Sequence, residues 1–138
     1  MHILNTTYDD VWETLENIIG IGRELLPNTD EERYLEIHNA VRQYNTHTDN
    51  SIKLEYNDDL ELFSEKLLDN NILLLALYIK KNILQSKLEY FEAVHIYSMS
   101  QVTTKFYKEQ VSARESAILK VEKQISQIIA DEKDGEFN

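Results

Sequence analysis

The chain has 138 residues, of which 42% are hydrophobic and 28% charged, a balance that suits one folded domain and argues against disorder. Its 25 acidic residues exceed its 14 basic ones, and the formal net charge of −11 opposes general binding to nucleic acid or to anionic lipid. The absence of cysteine excludes disulfides, cysteine-ligated metals and thiol catalysis, and is compatible with a reducing compartment.

Glycine and proline are rare and lie near the two ends of the chain. The segment between Pro27 and Gly135 contains neither residue, which strand-and-turn architectures seldom permit. The sequence therefore predicts an all-α protein, a small helical bundle whose long C-terminal helix continues into a coiled coil.

The first predicted helix spans residues 8–26 and ends before a proline. Thr7 followed by Asp10 is typical of an N-terminal cap, and apolar residues recur behind it at helical spacing. Gly20 and Gly22 each cost about 1 kcal/mol relative to alanine inside a helix, so a kink or early stop near residue 21 is expected.

A second helix is predicted over residues 30–44, and Thr29 with Glu32 forms its capping-box pattern. A polar loop follows over 45–51. Residues 52–56 alternate apolar and charged side chains, but a lone strand has nothing to pair with, so this stretch is interpreted as an extended linker. Asn57 is then expected to cap a third, short helix that ends near the polar residues 69–71.

The stretch from 72 to 130 contains no strong helix breaker. It predicts either one helix of nearly sixty residues or two helices separated at 98–104, where serine and threonine lower the helix propensity. Beyond that point the apolar face narrows to a seam with seven-residue spacing. The seam consists of Val111, Ile118, Val121, Ile125 and Ile128. It must be covered by the first helix or by another chain, and we interpret it as a partner interface.

Charge divides the single predicted domain, residues 1–138, into three parts. Residues 1–70, predicted to form acidic short helices, carry 16 acidic and five basic residues. Within the predicted long helix or helix pair, 71–131, residues 71–130 carry five acidic and eight basic residues. Residues 132–138 are expected to be a frayed acidic tail.

Neither a secretory signal nor a membrane-spanning segment is expected. The N-terminus lacks a basic stretch followed by a long apolar one, and the longest apolar run, 72–79, is too short to cross a bilayer. We therefore expect a cytoplasmic or nuclear protein.

A metal site is not expected. Glu92 and His95 form an E-x-x-H pair, which resembles one ligand pair of ferritin-like di-iron bundles. Those bundles need two such pairs and two further glutamates, whereas this chain has one pair. The sequence likewise predicts no other cofactor.

One enzymatic alternative involves Arg42 and His47. The R-x4-H pattern resembles the catalytic signature of HEPN ribonucleases, and the resemblance implies that His47 acts as general acid or base while Arg42 holds the scissile phosphate. The net charge of −11 on residues 1–70 is, however, a poor field for attracting RNA.

A second alternative is an acidic phage-type inhibitor that mimics DNA and blocks a nucleic-acid enzyme. It requires carboxylates spaced along one surface, as phosphates are spaced along a nucleic-acid strand. We favour a non-enzymatic helical subunit or adaptor that binds a helical protein, or a second copy of itself, through the C-terminal seam.

Overall fold

Helices dominate the architecture, and the predicted all-α class and small helical bundle are confirmed. The computed structural model describes residues 4–20, 22–47, 52–97 and 104–136. The helices are α1 (Tyr8–Thr14), α2 (Asp30–His47), α3 (Asp69–Tyr97) and α4 (Thr104–Glu136), and the strands β1 (Tyr56–Asn57) and β2 (Leu62–Phe63) form an antiparallel hairpin. No helix within the described ranges combines the length and hydrophobicity needed to cross a membrane.

The first helix begins where the sequence predicts and ends early. The Thr7 hydroxyl accepts a hydrogen bond from the Asp10 backbone N–H, and the Asp10 carboxylate accepts one from the Thr7 backbone N–H. After α1 the backbone widens into a π-helical turn, Leu15–Ile19, and stops at Gly20 in the left-handed conformation, with φ of 74°. Glycine adopts this conformation without steric cost, so the predicted early stop is confirmed.

The second helix also begins at its predicted cap. The hydroxyl of Thr29 accepts a hydrogen bond from the backbone N–H of Glu32 at 3.2 Å. The helix continues to His47, three residues beyond the predicted end. Its buried face consists of Ile37, Ala40, Val41 and Tyr44.

The predicted third helix is wrong, because its segment forms the β1–β2 hairpin. Asn57 caps a turn instead of a helix, its side-chain oxygen accepting a hydrogen bond from the backbone N–H of Leu60. The hairpin also pairs with the chain before α1, where the Phe63 N–H donates to the Thr6 carbonyl at 2.9 Å. The strand therefore has partners that are distant in sequence, which short-range patterns do not reveal.

The C-terminal region forms two antiparallel helices, which confirms the second of the two alternatives. Lys81 Nζ on α3 lies 3.7 Å from Glu122 Oε1 on α4. Further along α3, the ring of Phe91 stacks on that of Tyr107, near the start of α4. The contacts thus run in opposite order along the two helices. α3 ends at Tyr97 and α4 begins at Thr104, and of the predicted break at 98–104, residues 98–103 lie outside the described ranges.

The hydrophobic core joins all four helices and the hairpin. Its most buried large side chains include Val11 and Leu15 near the N-terminus, Tyr44 on α2, and Leu74, Leu75 and Ile79 on α3. Val121 and Ile125 bring α4 into the same cluster. α4 continues to Glu136, so the helix extends into the segment 132–138 that was expected to fray.

Candidate interaction surfaces

The predicted seam lies mostly inside the folded chain. Ile118, Val121 and Ile125 are buried, whereas Val111 and Ile128 are half-buried. The expected cover was the first helix or a second chain, but α4 packs mainly on α3. The reason is that the chain reverses direction between α3 and α4, so the apolar faces of these two helices pack against each other. The continuation of this seam into a coiled coil remains a prediction.

The outer part of the α3–α4 pair differs from the part in the core. We call residues 85–97 of α3 and 104–117 of α4 the distal arm. Its described side chains, those of 85–94 and 106–117, include none that is buried, and none that joins the core cluster. Two helices alone do not fully enclose the apolar residues between them.

Aromatic contacts hold the two helices of the distal arm together. The rings of Phe91 and Tyr107 stack with centroids 5.8 Å apart and planes 16° apart. The guanidinium of Arg114 lies 4.5 Å from the centre of the Phe91 ring, close enough for a cation–π contact. Its Nε is buried without a hydrogen-bond partner among the described residues. The contact between the two helices of the arm therefore combines an aromatic stack with a cation–π pair, and it leaves one nitrogen of Arg114 without a hydrogen bond.

The outer face of the distal arm carries apolar side chains in solvent. Tyr90 is 70% exposed, and Val94, one helical turn further along α3, is 42% exposed. Residues four apart share a helix face, so these two side chains form one patch. A partner helix could cover both at once.

A partly buried polar cluster joins α1, α2 and the β1–β2 hairpin. The Asp58 carboxylate, in the turn between β1 and β2, accepts a hydrogen bond from the Tyr8 hydroxyl at 2.6 Å and lies 2.8 Å from His38 Nε2 on α2. The imidazole of His38 also stacks on the Tyr56 ring, with centroids 4.1 Å apart. The cluster ties the hairpin to α1 and α2.

Electrostatics within this cluster favour an ionised Asp58. Partial burial of the Asp58 carboxyl opposes ionisation, but the hydrogen bonds from Tyr8 and His38 and the charge of His38 outweigh it and lower its pKa. Burial and the Asp58 hydrogen bond raise the pKa of the Tyr8 hydroxyl, which therefore remains a proton donor. No sequence motif pointed to this cluster, because its three residues lie 20 and 50 positions apart.

The structure does not bring Arg42 and His47 onto one face. Five residues along an α-helix correspond to a rotation of about 140°. Arg42 lines a hollow with His38 and Tyr56, whereas the His47 ring lies 6.2 Å from the Tyr78 ring on α3. The histidine that shares a face with Arg42 is His38, and its Nε2 is engaged by Asp58.

The described residues contain no group of three or more histidine, cysteine, aspartate or glutamate side chains placed to hold a metal ion. Of the E-x-x-H pair, Glu92 lies half-buried on α3, and the His95 side chain lies outside the described part.

The fold and these surfaces define a small all-α bundle with a two-helix arm. The chain belongs to a prophage protein family, since residues 3–134 match the family described as YomZ prophage protein. It is 23% identical over 124 residues to the SPbeta prophage-derived uncharacterized protein YomZ of Bacillus subtilis (strain 168), covering 90% of this chain and 93% of the relative. No solved structure matches the chain significantly. The relative is bacterial, so a nuclear location is not supported.

Proposed function

We propose that the protein is a non-enzymatic helical subunit of the bacterial cytoplasm that assembles with a second copy of itself through the distal arm. The observation that carries the proposal is the incomplete cover of the arm, in which none of the described side chains is buried. Two arms packed side by side would form a four-helix layer and bury both apolar faces. Closed twofold pairing is the commonest form of such assembly.

Charge supports self-association through the arm in preference to the rest of the molecule. The segment 85–117 contains four basic and four acidic residues, whereas the whole chain has a net charge of −11. Two copies therefore repel each other through their remaining surfaces and experience little net repulsion between arms. The arms are the surfaces that two copies can bring together at the smallest electrostatic cost.

Part of the predicted seam belongs to this interface. Val111 lies in the arm and is half-buried, as expected for a residue that a second pair of helices would cover. Ile118, Val121 and Ile125 are already covered by the same chain. We therefore propose that the interface includes Tyr90, Val94 and Val111 and excludes the three buried residues of the seam.

The test is the mass of the protein in solution at micromolar concentration. We expect a dimer by light scattering, and monomers for the variants Tyr90→Lys and Val94→Lys. Leu60→Lys is the matched control, because Leu60 is 66% exposed in the β1–β2 turn and the substitution adds the same charge. A monomeric wild type, or a dimer that survives both arm variants, would contradict the proposal.

One second candidate is the acidic inhibitor of a nucleic-acid enzyme, and the observation that favours it is the net charge of −11 on residues 1–70. Carboxylates lie exposed in the first turns of α1 and α2. Direct inhibition of a purified restriction nuclease that is lost in high salt, and lost again when Asp9, Glu13 and Glu31 are changed to their amides, would support this candidate. No inhibition at low salt would exclude it for that nuclease.

A further inference from the structure

Ile18 lies on a surface separate from the distal arm and is 73% exposed. It belongs to the π-helical turn that follows α1, in which Leu15 is fully buried and Ile19 packs partly against the core. Gly20 ends this turn in a left-handed conformation. The backbone is thus fixed on both sides of Ile18, and its side chain stands out as an apolar knob.

Two hollows flank this knob. The first, of about 600 Å³, has apolar walls from Leu4, Leu67 and Ile72. The second, of about 410 Å³, lies between the π turn, α3 and α4, and Leu73, Leu77 and Ile128 line it. Ile18 lines both hollows. We call Ile18 with these two hollows the Ile18 surface; it includes Ile128, the last residue of the predicted seam.

Acidic side chains border the first hollow. Asp10 and Glu13 on α1 and Asp69 at the start of α3 line it, and Lys66 is the one basic side chain among the described lining residues. The polar residues that line the second hollow are Gln124, Gln127 and Lys80, so among the described residues the carboxylates that line the Ile18 surface lie in the first hollow. An occupant that follows the surface must be apolar along its centre and basic along one flank.

We propose that the Ile18 surface binds a basic amphipathic helix of another protein. Such a helix presents one apolar stripe, which would cover Ile18 and enter the hollows, and lysine or arginine beside it, which would face Asp10, Glu13 and Asp69. A second copy of this chain fits poorly, because its charge of −11 repels the acidic border. Anionic lipid and nucleic acid are repelled for the same reason.

The probe is a synthetic helical peptide of about 16 residues, with leucines at i, i+3 and i+4 spacing on one face and lysines beside them. Its control has glutamine in place of leucine and the same charge. Binding of each labelled peptide to the full chain is measured by fluorescence anisotropy at physiological salt. We expect the leucine peptide to bind and the glutamine peptide to bind at least tenfold more weakly.

Substitutions locate the binding surface. Ile18→Asn and, independently, Leu4→Asn should each weaken binding of the leucine peptide about tenfold, because each removes an exposed apolar side chain from the contact. Leu35→Asn is the matched control, since Leu35 is 56% exposed on α2 and lies away from both hollows. Glu13→Gln should flatten the dependence of affinity on salt, and Glu31→Gln on α2 should not.

The result that overturns this proposal is equal affinity for the leucine and glutamine peptides, or affinity that both Ile18→Asn and Leu4→Asn leave unchanged. The test is independent of the assembly through the distal arm. Tyr90→Lys should bind the leucine peptide as tightly as the wild type does. Ile18→Asn should remain a dimer in light scattering, as the wild type is expected to be. Loss of peptide binding in Tyr90→Lys would mean that the arm, and not the Ile18 surface, holds the peptide.

Discussion

The Asp58 carboxylate accepts a hydrogen bond from His38 Nε2 at 2.8 Å, which joins the turn of the β1–β2 hairpin to the middle of α2. The Tyr8 hydroxyl reaches the same carboxylate at 2.6 Å from α1. The three side chains come from separate elements, and the Asp58 carboxylate is the acceptor that Tyr8 and His38 share. The side-chain part of the attachment of the hairpin therefore depends on the ionisation of Asp58, in addition to the backbone hydrogen bonds to Thr6 and Tyr8.

The first prediction concerns Asp58 and pH. The pKa of Asp58 is lowered from its ordinary value of 3.8, so its contribution to stability is complete above that pH and is lost as the pH falls through the lower folded-state value. At pH 7, Asp58→Asn should reduce the free energy of unfolding by about 1 kcal/mol, since the site is partly solvated. The difference between variant and wild type should shrink toward pH 2 in urea unfolding.

Asp59→Asn is the control for this experiment. Asp59 is exposed in the same turn and changes the net charge equally. A similar loss of stability for Asp59→Asn would mean that the charge of the turn matters and the contacts of Asp58 do not.

The second prediction compares two buried tyrosines. Tyr8 donates a hydrogen bond to Asp58, whereas the hydroxyl of Tyr78 is buried without a partner among the described residues. Tyr8→Phe should cost about 1 kcal/mol, while Tyr78→Phe should be neutral or slightly stabilising because it removes an unsatisfied polar atom. Urea unfolding of both variants under one set of conditions measures the difference.

An ultraviolet titration provides a further check on Tyr78. Burial raises the pKa of the Tyr78 hydroxyl to about 12, above its ordinary value of 10.0. Compared with the wild type, Tyr78→Phe should show one fewer tyrosine that ionises well above pH 10. Loss of a tyrosine that titrates near pH 10 would contradict the buried position.

The third prediction concerns Glu36 on α2. One carboxylate oxygen is buried without a hydrogen-bond partner within the described structure, and burial raises the pKa of Glu36 above 4.5. The charged form is therefore destabilising, and wild-type stability should gain as the pH falls through the raised pKa. Glu36→Gln should be about 1 kcal/mol more stable than the wild type at pH 7, with the gap closing near pH 4.

Glu89→Gln is the matched variant, because Glu89 is exposed on α3 and loses the same charge. Its stability should stay close to that of the wild type. If both glutamine variants stabilise the protein equally, relief of the overall negative charge explains the effect, and burial of Glu36 does not.

Local signals in the sequence predicted the starts of α1 and α2. Thr7 with Asp10 and Thr29 with Glu32 satisfy backbone N–H groups within three residues, so their geometry depends on nothing distant. The break at 98–104 was likewise predicted from local propensity. These features account for the starts of α1 and α2 and for the division of the C-terminal region into α3 and α4.

Long-range contacts explain what the sequence did not predict. β1 and β2 are two residues each, and the hairpin takes its additional hydrogen bonds from Thr6 and Tyr8, more than fifty positions away. The helix that covers the seam was also not predicted, because it depends on tertiary structure: α4 folds back along α3. A seven-residue spacing shows that a helix face must be covered, and it does not show by which helix.

The last prediction separates packing within the chain from contact between chains. Ile125 is 7% exposed in the core, whereas Leu119, on the same helix, is 56% exposed. Ile125→Ala should reduce the free energy of unfolding by about 2–5 kcal/mol, because it removes buried methyl groups and leaves a cavity, while Leu119→Ala should change it little. Thermal unfolding over a range of protein concentrations measures both. Stability lost by Ile125→Ala should be the same at every concentration, since the cover of this residue comes from α3 of its own chain. A loss that disappears as the concentration rises would instead place Ile125 at the interface between two copies.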